Sequence, residues 1–181
     1  LGFGFIGYER RARDLKIERL QFVPLDDPIK LSRLRITSNA DRARELDITF
    51  YAELVLGTSR TSARSFVTTS IDAETGALLA ENRWRPSASP QVAFFDMGGR
   101  QSDWSGDRRS FIGAYGSLAD PAALRPKAGL SKQTGGGIDP CSALRTKISV
   151  ASGETVEIPL YMGMEGNAEA ARALLTKYRS V

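Results

Sequence analysis

The chain has 181 residues, of which 25 are Lys or Arg and 21 are Asp or Glu, leaving a net charge of +4, and it contains no His. Its 41% hydrophobic and 25% charged residues match a folded domain and exclude a disordered or collagen-like chain. No apolar run approaches the roughly 20 residues that span a bilayer, and the lack of His removes Ser-His-Asp and Cys-His catalysis and His-ligated zinc.

The chain opens on Leu1-Gly2-Phe3-Gly4, with neither an initiator Met nor a signal peptide, and is expected to be cut from something longer. Leu15 and Ile17 share one alternation phase while Leu20 and Phe22 take the other. Ile29 and Leu31 are offset from Leu34 and Ile36 in the same way. These one-residue shifts predict β-bulges. The clearest strand is 46–56, with Leu46, Ile48, Phe50, Ala52, Leu54 and Leu56 on one face. Its other face, Asp47, Thr49, Tyr51, Glu53 and Val55, is mixed and is expected to meet another protein surface.

Residues 66–71 and 78–82 flank Asp72-Ala73-Glu74-Thr75-Gly76 and predict a hairpin. Residues 83–90 read as a loop holding Trp84, Pro86 and Pro90, followed by a short apolar strand at 91–96. Residues 113–137 show little periodicity, and a loop of that length is usually functional or covers a neighbour. Its Gly135-Gly136-Gly137 run lacks the Lys-Ser/Thr pair of a phosphate loop. Residues 147–150 and 156–162 are expected to pair around Ala151-Ser152-Gly153-Glu154. At the end, Asn167 can cap a helix whose Ala171, Leu174, Leu175 and Tyr178 form one stripe. Glu169 near its start and Lys177 and Arg179 near its end suit the helix dipole.

Without His, paired carboxylates are the first chemistry to test. Asp26-Asp27 precedes Pro28, where turn formation accounts for it. Asp103 and Asp107 flank Trp104 within 99–109, a segment rich in Arg, Gln, Ser and Asp. Sugars are held by such mixtures, with an aromatic ring under the apolar face and polar groups on the hydroxyls. Trp84 offers a second platform. Trp104, Asp107, Arg108, Trp84 and Asp103 are therefore the candidate carbohydrate-binding or interface residues. The competing reading gives each Trp an anchoring role, and has Asp107 and Arg108 hold the loop. Cys141 has no activating base and reads as a small buried hydrophobe. A lone Cys can form neither an internal disulfide nor a cysteine metal cage, so only carboxylate metal sites stay open. No metal, cofactor or catalytic residue is assigned. The 19 Arg and 6 Lys never cluster beyond a pair, which argues against nucleic acid as a partner.

Several stretches resemble cyclic β-1,2-glucan synthases: Leu20-Gln21-Phe22-Val23-Pro24-Leu25-Asp26-Asp27-Pro28, then Glu53-Leu54-Val55-Leu56-Gly57, Gly106-Asp107-Arg108, Phe111-Ile112-Gly113, Gly116-Ser117-Leu118, Pro121-Ala122-Ala123-Leu124 and Asp139-Pro140-Cys141. The corresponding part of those enzymes is similar to glycoside hydrolase family 94, the cellobiose phosphorylase family once called glycosyltransferase family 36. The resemblance implies a mainly β, antiparallel supersandwich like that of galactose mutarotase, over residues 1–165 and lacking its first strands. It implies a linker helix over 166–181 leading to an (α/α)6 barrel that carries the catalytic acid. No catalytic residue is thereby assigned to this chain.

The function expected is that of a non-catalytic carbohydrate-binding or scaffolding sandwich, inactive alone, in a parent acting on β-1,2-glucan by glycosyl transfer or phosphorolysis. β-Glucan, the helical barrel and a second copy of the sandwich are the expected partners. The expected location is the cytoplasmic side of a larger bacterial protein anchored in the inner membrane. Two other classes stay open. An independent carbohydrate-binding module would expose Trp84 or Trp104 in a groove. A complete small enzyme would enclose Asp103 and Asp107 in one pocket.

Overall fold

The computed structural model describes residues 4–84 and 90–180, so Leu1-Gly2-Phe3 and the Pro86 part of the predicted 83–90 loop lie outside it. Within the described residues the strands are β1 Phe5–Ala12, β2 Leu15–Phe22, β3 Ile29–Ser38, β4 Arg44–Glu53, β5 Val67–Ile71, β6 Leu78–Asn82, β7 Val92–Asp96, β8 Asp103–Asp107, β9 Pro140–Val150 and β10 Thr155–Glu165. They form a seven-stranded sheet, β1-β2-β3-β10-β7-β6-β5, and a three-stranded sheet, β4-β9-β8. The pairings between these strands are antiparallel. This is the mainly β, antiparallel architecture expected.

Alternation dictates how the sheets meet. In β4, Ile48, Phe50 and Ala52 point to the large sheet, and Leu54 follows on the same side. They pack with Leu78 and Ala80 of β6, Ala93 and Phe95 of β7, Leu144 of β9 and Ile158 and Leu160 of β10. The Phe50 and Phe95 rings sit 6.4 Å apart in a tilted contact across the interface.

The opposite face of the large sheet carries helix α3, Ala168–Arg179. Asn167 caps it, its Oδ1 accepting the Ala170 amide at 2.8 Å. Ala171, Leu174 and Leu175 pack on Ile29, Leu31, Phe94 and Tyr161. Gly163 makes this possible: a Cβ there would lie 2.4 Å from both the Phe94 ring and the Pro28 carbonyl. Polar contacts then pin the helix along its length. Arg172 pairs with Asp72 at 2.8 Å and Lys177 with Asp27 at 2.6 Å. The Tyr178 hydroxyl also donates to Asp27 at 2.6 Å. Arg179 grips the fully buried Asp96 through Nη2 at 2.6 Å and Nε at 3.0 Å. Asp27, read from sequence as turn chemistry, is thus a helix anchor.

Three expectations need correction. First, β9 and β10 do not form a hairpin. The chain crosses between sheets there, β9 pairing with β4 and β8 while β10 pairs with β3 and β7. Second, the phase shifts in β2 and β3 are not bulges, because their register runs unbroken. The buried face changes instead: Ile29 and Leu31 lie under α3, whereas Leu34 turns to the other sheet. The register shift that does occur lies in β8, between Ser105 and Asp107. Third, the middle of the mixed face of β4, at Thr49 and Tyr51, is covered by this chain itself, while Asp47, Glu53 and Val55 stay exposed. Tyr51 stacks on Phe111 at 4.4 Å and 14°, in a cluster with Ile112, Ala123, Leu130, Cys141 and Ala143.

That cover comes from helix α2, Arg108–Ile112, a 3-10 turn at Ala122–Leu124, and the segment after it. Ala123 and Leu130 thereby anchor 113–137 to the small sheet, while most of the segment's other residues stay exposed. The segment also closes the free edge of β8: Lys132 N–H donates to the Trp104 carbonyl at 2.8 Å and Gly106 N–H to the Gln133 carbonyl at 2.7 Å. It then bridges to β5 at Thr69 and Gly135. A Cβ at Gly106 would lie 2.4 Å from the Thr69 hydroxyl, so the crossing needs glycine. Only Tyr115, Leu118 and Leu124 of this segment stand out as large exposed apolar side chains.

Candidate functional site

β8 carries Asp103, Trp104 and Asp107 to the rim of the small sheet, and Arg108 follows them as the first residue of α2. Trp104 is half-buried, its ring packed at the border of the inter-sheet core with the Lys132 ammonium 5.4 Å from its centroid. Asp103 points the other way. Its Oδ2 accepts the Leu130 amide at 2.7 Å and its Oδ1 the Trp104 amide at 3.2 Å. It therefore holds the long segment against β8.

Asp107 is buried and caps α2. Its oxygens accept the amides of Arg109 at 3.2 Å, Ser110 at 3.1 Å and Asp139 at 3.3 Å. Arg108 donates from Nε to Glu53 at 2.7 Å, with Nη1 3.8 Å from Asp139. Arg60, in the one-turn helix α1 Arg60–Ala63, joins both carboxylates: 3.1 Å to Glu53 and a close contact to Asp139. Two guanidiniums and two carboxylates thus form one network linking β4, α1, α2 and the start of β9. The Arg108 hydrogen bond holds the Glu53 carboxyl below the usual carboxylate range, against the opposing effect of desolvation. Burial raises the neighbouring Tyr51 phenol. Burial also pushes the Cys141 thiol up to about 12, which makes it inert and fits its reading as a small hydrophobe.

A cavity of about 400 Å³ opens beside this network, lined by Arg64, Ser65, Asp107, Arg109, Gln133, Gly137, Ile138 and Asp139. Asp107 is the one sequence candidate it contains. Trp84 lies apart from Trp104, at the exit of β6, where its ring stacks on Phe66 at 5.1 Å and 27°. That pair is open to solvent, Trp84 64% and Phe66 40% exposed. The structure thus divides the candidates: Trp104, Asp103, Asp107 and Arg108 share the β8 rim, and Trp84 has Phe66 instead.

Sequence reasoning passed over Glu53, Arg60, Arg64, Gln133 and Asp139 as site residues. Each is unremarkable locally, and pairs such as Arg60 and Asp139 stand 79 positions apart. It also missed the buried Arg145, whose guanidinium donates to Thr49 at 3.1 Å, the Ala128 carbonyl at 2.7 Å and the Ala123 carbonyl at 2.5 Å. Among the described residues, no three carboxylate or thiol side chains converge as a metal site. Among them, too, no helix is long and apolar enough to cross a membrane.

The family model of the glycosyl hydrolase 94 supersandwich domain matches residues 1–181. The cyclic beta-(1,2)-glucan synthase NdvB of Rhizobium meliloti (strain 1021) is 31% identical over 179 residues, covering 99% of this chain. The chain spans 6% of that synthase's length. The solved structure of the polysaccharide lyase BACCELL_00875 superposes with a TM-score of 0.56 over 92% of this chain and 22% of its own, at 11% identity, a likeness of fold.

Proposed function

The chain belongs to the glycosyl hydrolase 94 supersandwich family, and we propose that it serves as the non-catalytic, glucan-contacting scaffold of a synthase or phosphorylase acting on β-1,2-glucan. The observation that carries the reading is the employment of the site carboxylates. Asp103 and Asp107 accept backbone amides, while Glu53 and Asp139 are held by Arg60 and Arg108. A general acid needs a carboxyl free to carry and release a proton, and a carboxylate that caps a helix loses its cap on protonation.

Scaffolding is supported by α3. It lies on the sheet through an apolar stripe and three anchoring acids, Asp27, Asp72 and Asp96. A helix held so firmly would fix the orientation of a helical barrel attached beyond it. The larger protein, its anchoring in an inner membrane and the cytoplasmic placement of this domain belong to the same proposal.

The test is direct. Incubated with β-1,2-glucan and inorganic phosphate, the 181-residue chain should release neither glucose 1-phosphate nor free sugar. Reproducible release that disappears in Asp107→Asn would refute the non-catalytic reading.

A further inference from the structure

We infer that the turn joining α1 to β5 builds a gluco-oligosaccharide subsite, with the Trp84–Phe66 pair as its stacking platform and the neighbouring cavity as its hydroxyl-binding end. This inference rests on the function proposed above and gives the sugar contact a place. Arg64, Ser65 and Phe66 are consecutive: the first two line the cavity, and the third stacks under Trp84. The Arg83 amide donates to the Phe66 carbonyl at 3.1 Å, which ties the platform to the cavity wall.

The two ends differ in chemistry as a sugar requires. The platform is an exposed aromatic pair, a surface that a ring's C–H face covers well and that water covers poorly. In the cavity, Arg64 and Arg109 have neither a salt bridge nor a side-chain hydrogen bond among the described residues, although Asp107 and Asp139 are close. Those carboxylates are already committed to amides and to Arg60 and Arg108, so the two guanidiniums remain available as forked donors. The Gln133 side-chain amide and the Ser65 hydroxyl add both donors and acceptors. Alternating donors and acceptors suit vicinal hydroxyls, whereas the cavity carboxylates disfavour a polyanion. Trp104, half-buried and under Lys132, is no comparable platform.

The experiment titrates the 181-residue chain with β-1,2-linked glucotetraose, with β-1,3- and β-1,4-linked tetraoses alongside, followed by calorimetry and by tryptophan emission. In a Trp104→Phe background, Trp84 is the remaining tryptophan, and its emission should shift to the blue as the sugar covers it. Trp84→Ala and Arg109→Gln should each weaken binding about 5- to 10-fold, the worth of one stacking or charge-assisted contact, with unchanged melting temperature. Wild-type affinity in both variants would overturn the subsite while leaving the proposed function standing. Loss in both variants, but for a β-1,3 or β-1,4 sugar only, would uphold the subsite and refute the β-1,2 part of that function. No binding of any tetraose at roughly 10 mM overturns the subsite; so does displacement of the sugar by inorganic phosphate below about 1 mM, which would mark an oxyanion pocket.

Discussion

Replacing Arg179 by Ala should loosen the end of α3 and cost about 3 kcal/mol. Arg179 makes three hydrogen bonds, two to Asp96 and one at 2.7 Å to the Thr75 carbonyl. Asp96 is fully buried, so the substitution leaves a charge that water cannot reach directly. Removing one partner of such a pair typically costs about 3–5 kcal/mol. The lower end applies here for two reasons. Asp96 keeps the amides of Gly98 at 3.0 Å and Gly99 at 3.2 Å and the Gln101 side chain at 2.8 Å. The Arg179 side chain is also 24% exposed, so solvent can partly enter the vacated space. For a chain of this size, about 3 kcal/mol lowers the melting temperature by roughly 6–12 °C. Urea unfolding followed by circular dichroism should show the midpoint falling with an unchanged slope. A double-mutant cycle with Asp96→Asn isolates the pair, since the amide removes the buried charge and should make the Arg179→Ala change much cheaper. A loss under about 1 kcal/mol in the Asp96 background of the native chain would refute the anchoring argument, because that is the worth of an exposed pair.

Asp107→Ala should cost about 2 kcal/mol, the loss of a helix cap and of the Asp139 amide contact, while Asp107→Asn, which keeps one acceptor oxygen, should cost about half as much. Equal stability of the two variants in chemical denaturation would show that the cap is not what Asp107 contributes. Stability should also fall on acidification. Asp72 sits below the usual range because hydrogen bonds from Arg172 and Thr75 outweigh the upward push of burial, the largest single effect. Lys177 and then Tyr178 lower Asp27. A carboxyl depressed on folding stabilises above its unfolded value and loses that contribution as pH falls through its folded value. The melting temperature should therefore hold steady through weakly acidic pH and drop below about pH 4, with a shallower drop in Asp72→Asn. A melting temperature that rises on acidification, or an identical drop in the variant, would count against α3 being pinned by these acids.

Where one segment's own pattern decides its structure, the sequence was readable. Alternation in 46–56 marks β4, the Asp72–Gly76 turn marks the β5–β6 hairpin, and Asn167 with the Ala171, Leu174, Leu175 stripe marks α3. Those rules act over a few residues: side chains alternate on a strand, a cap serves the nearest amides, and a helix shows one face in each turn. β1 and β8 escaped because their faces are exposed or polar, so burial leaves no alternation to read. The choice of sheet for β9 and β10, the change of buried face along β3, and the covering of Tyr51 by Phe111 depend on what packs opposite. No periodicity within a strand encodes its partner. The functional rim is the extreme case. Arg64, Arg109 and Gln133 share a cavity only because two sheets and a long closing segment bring them together, and Asp107 is a cap because the fold starts a helix immediately after it.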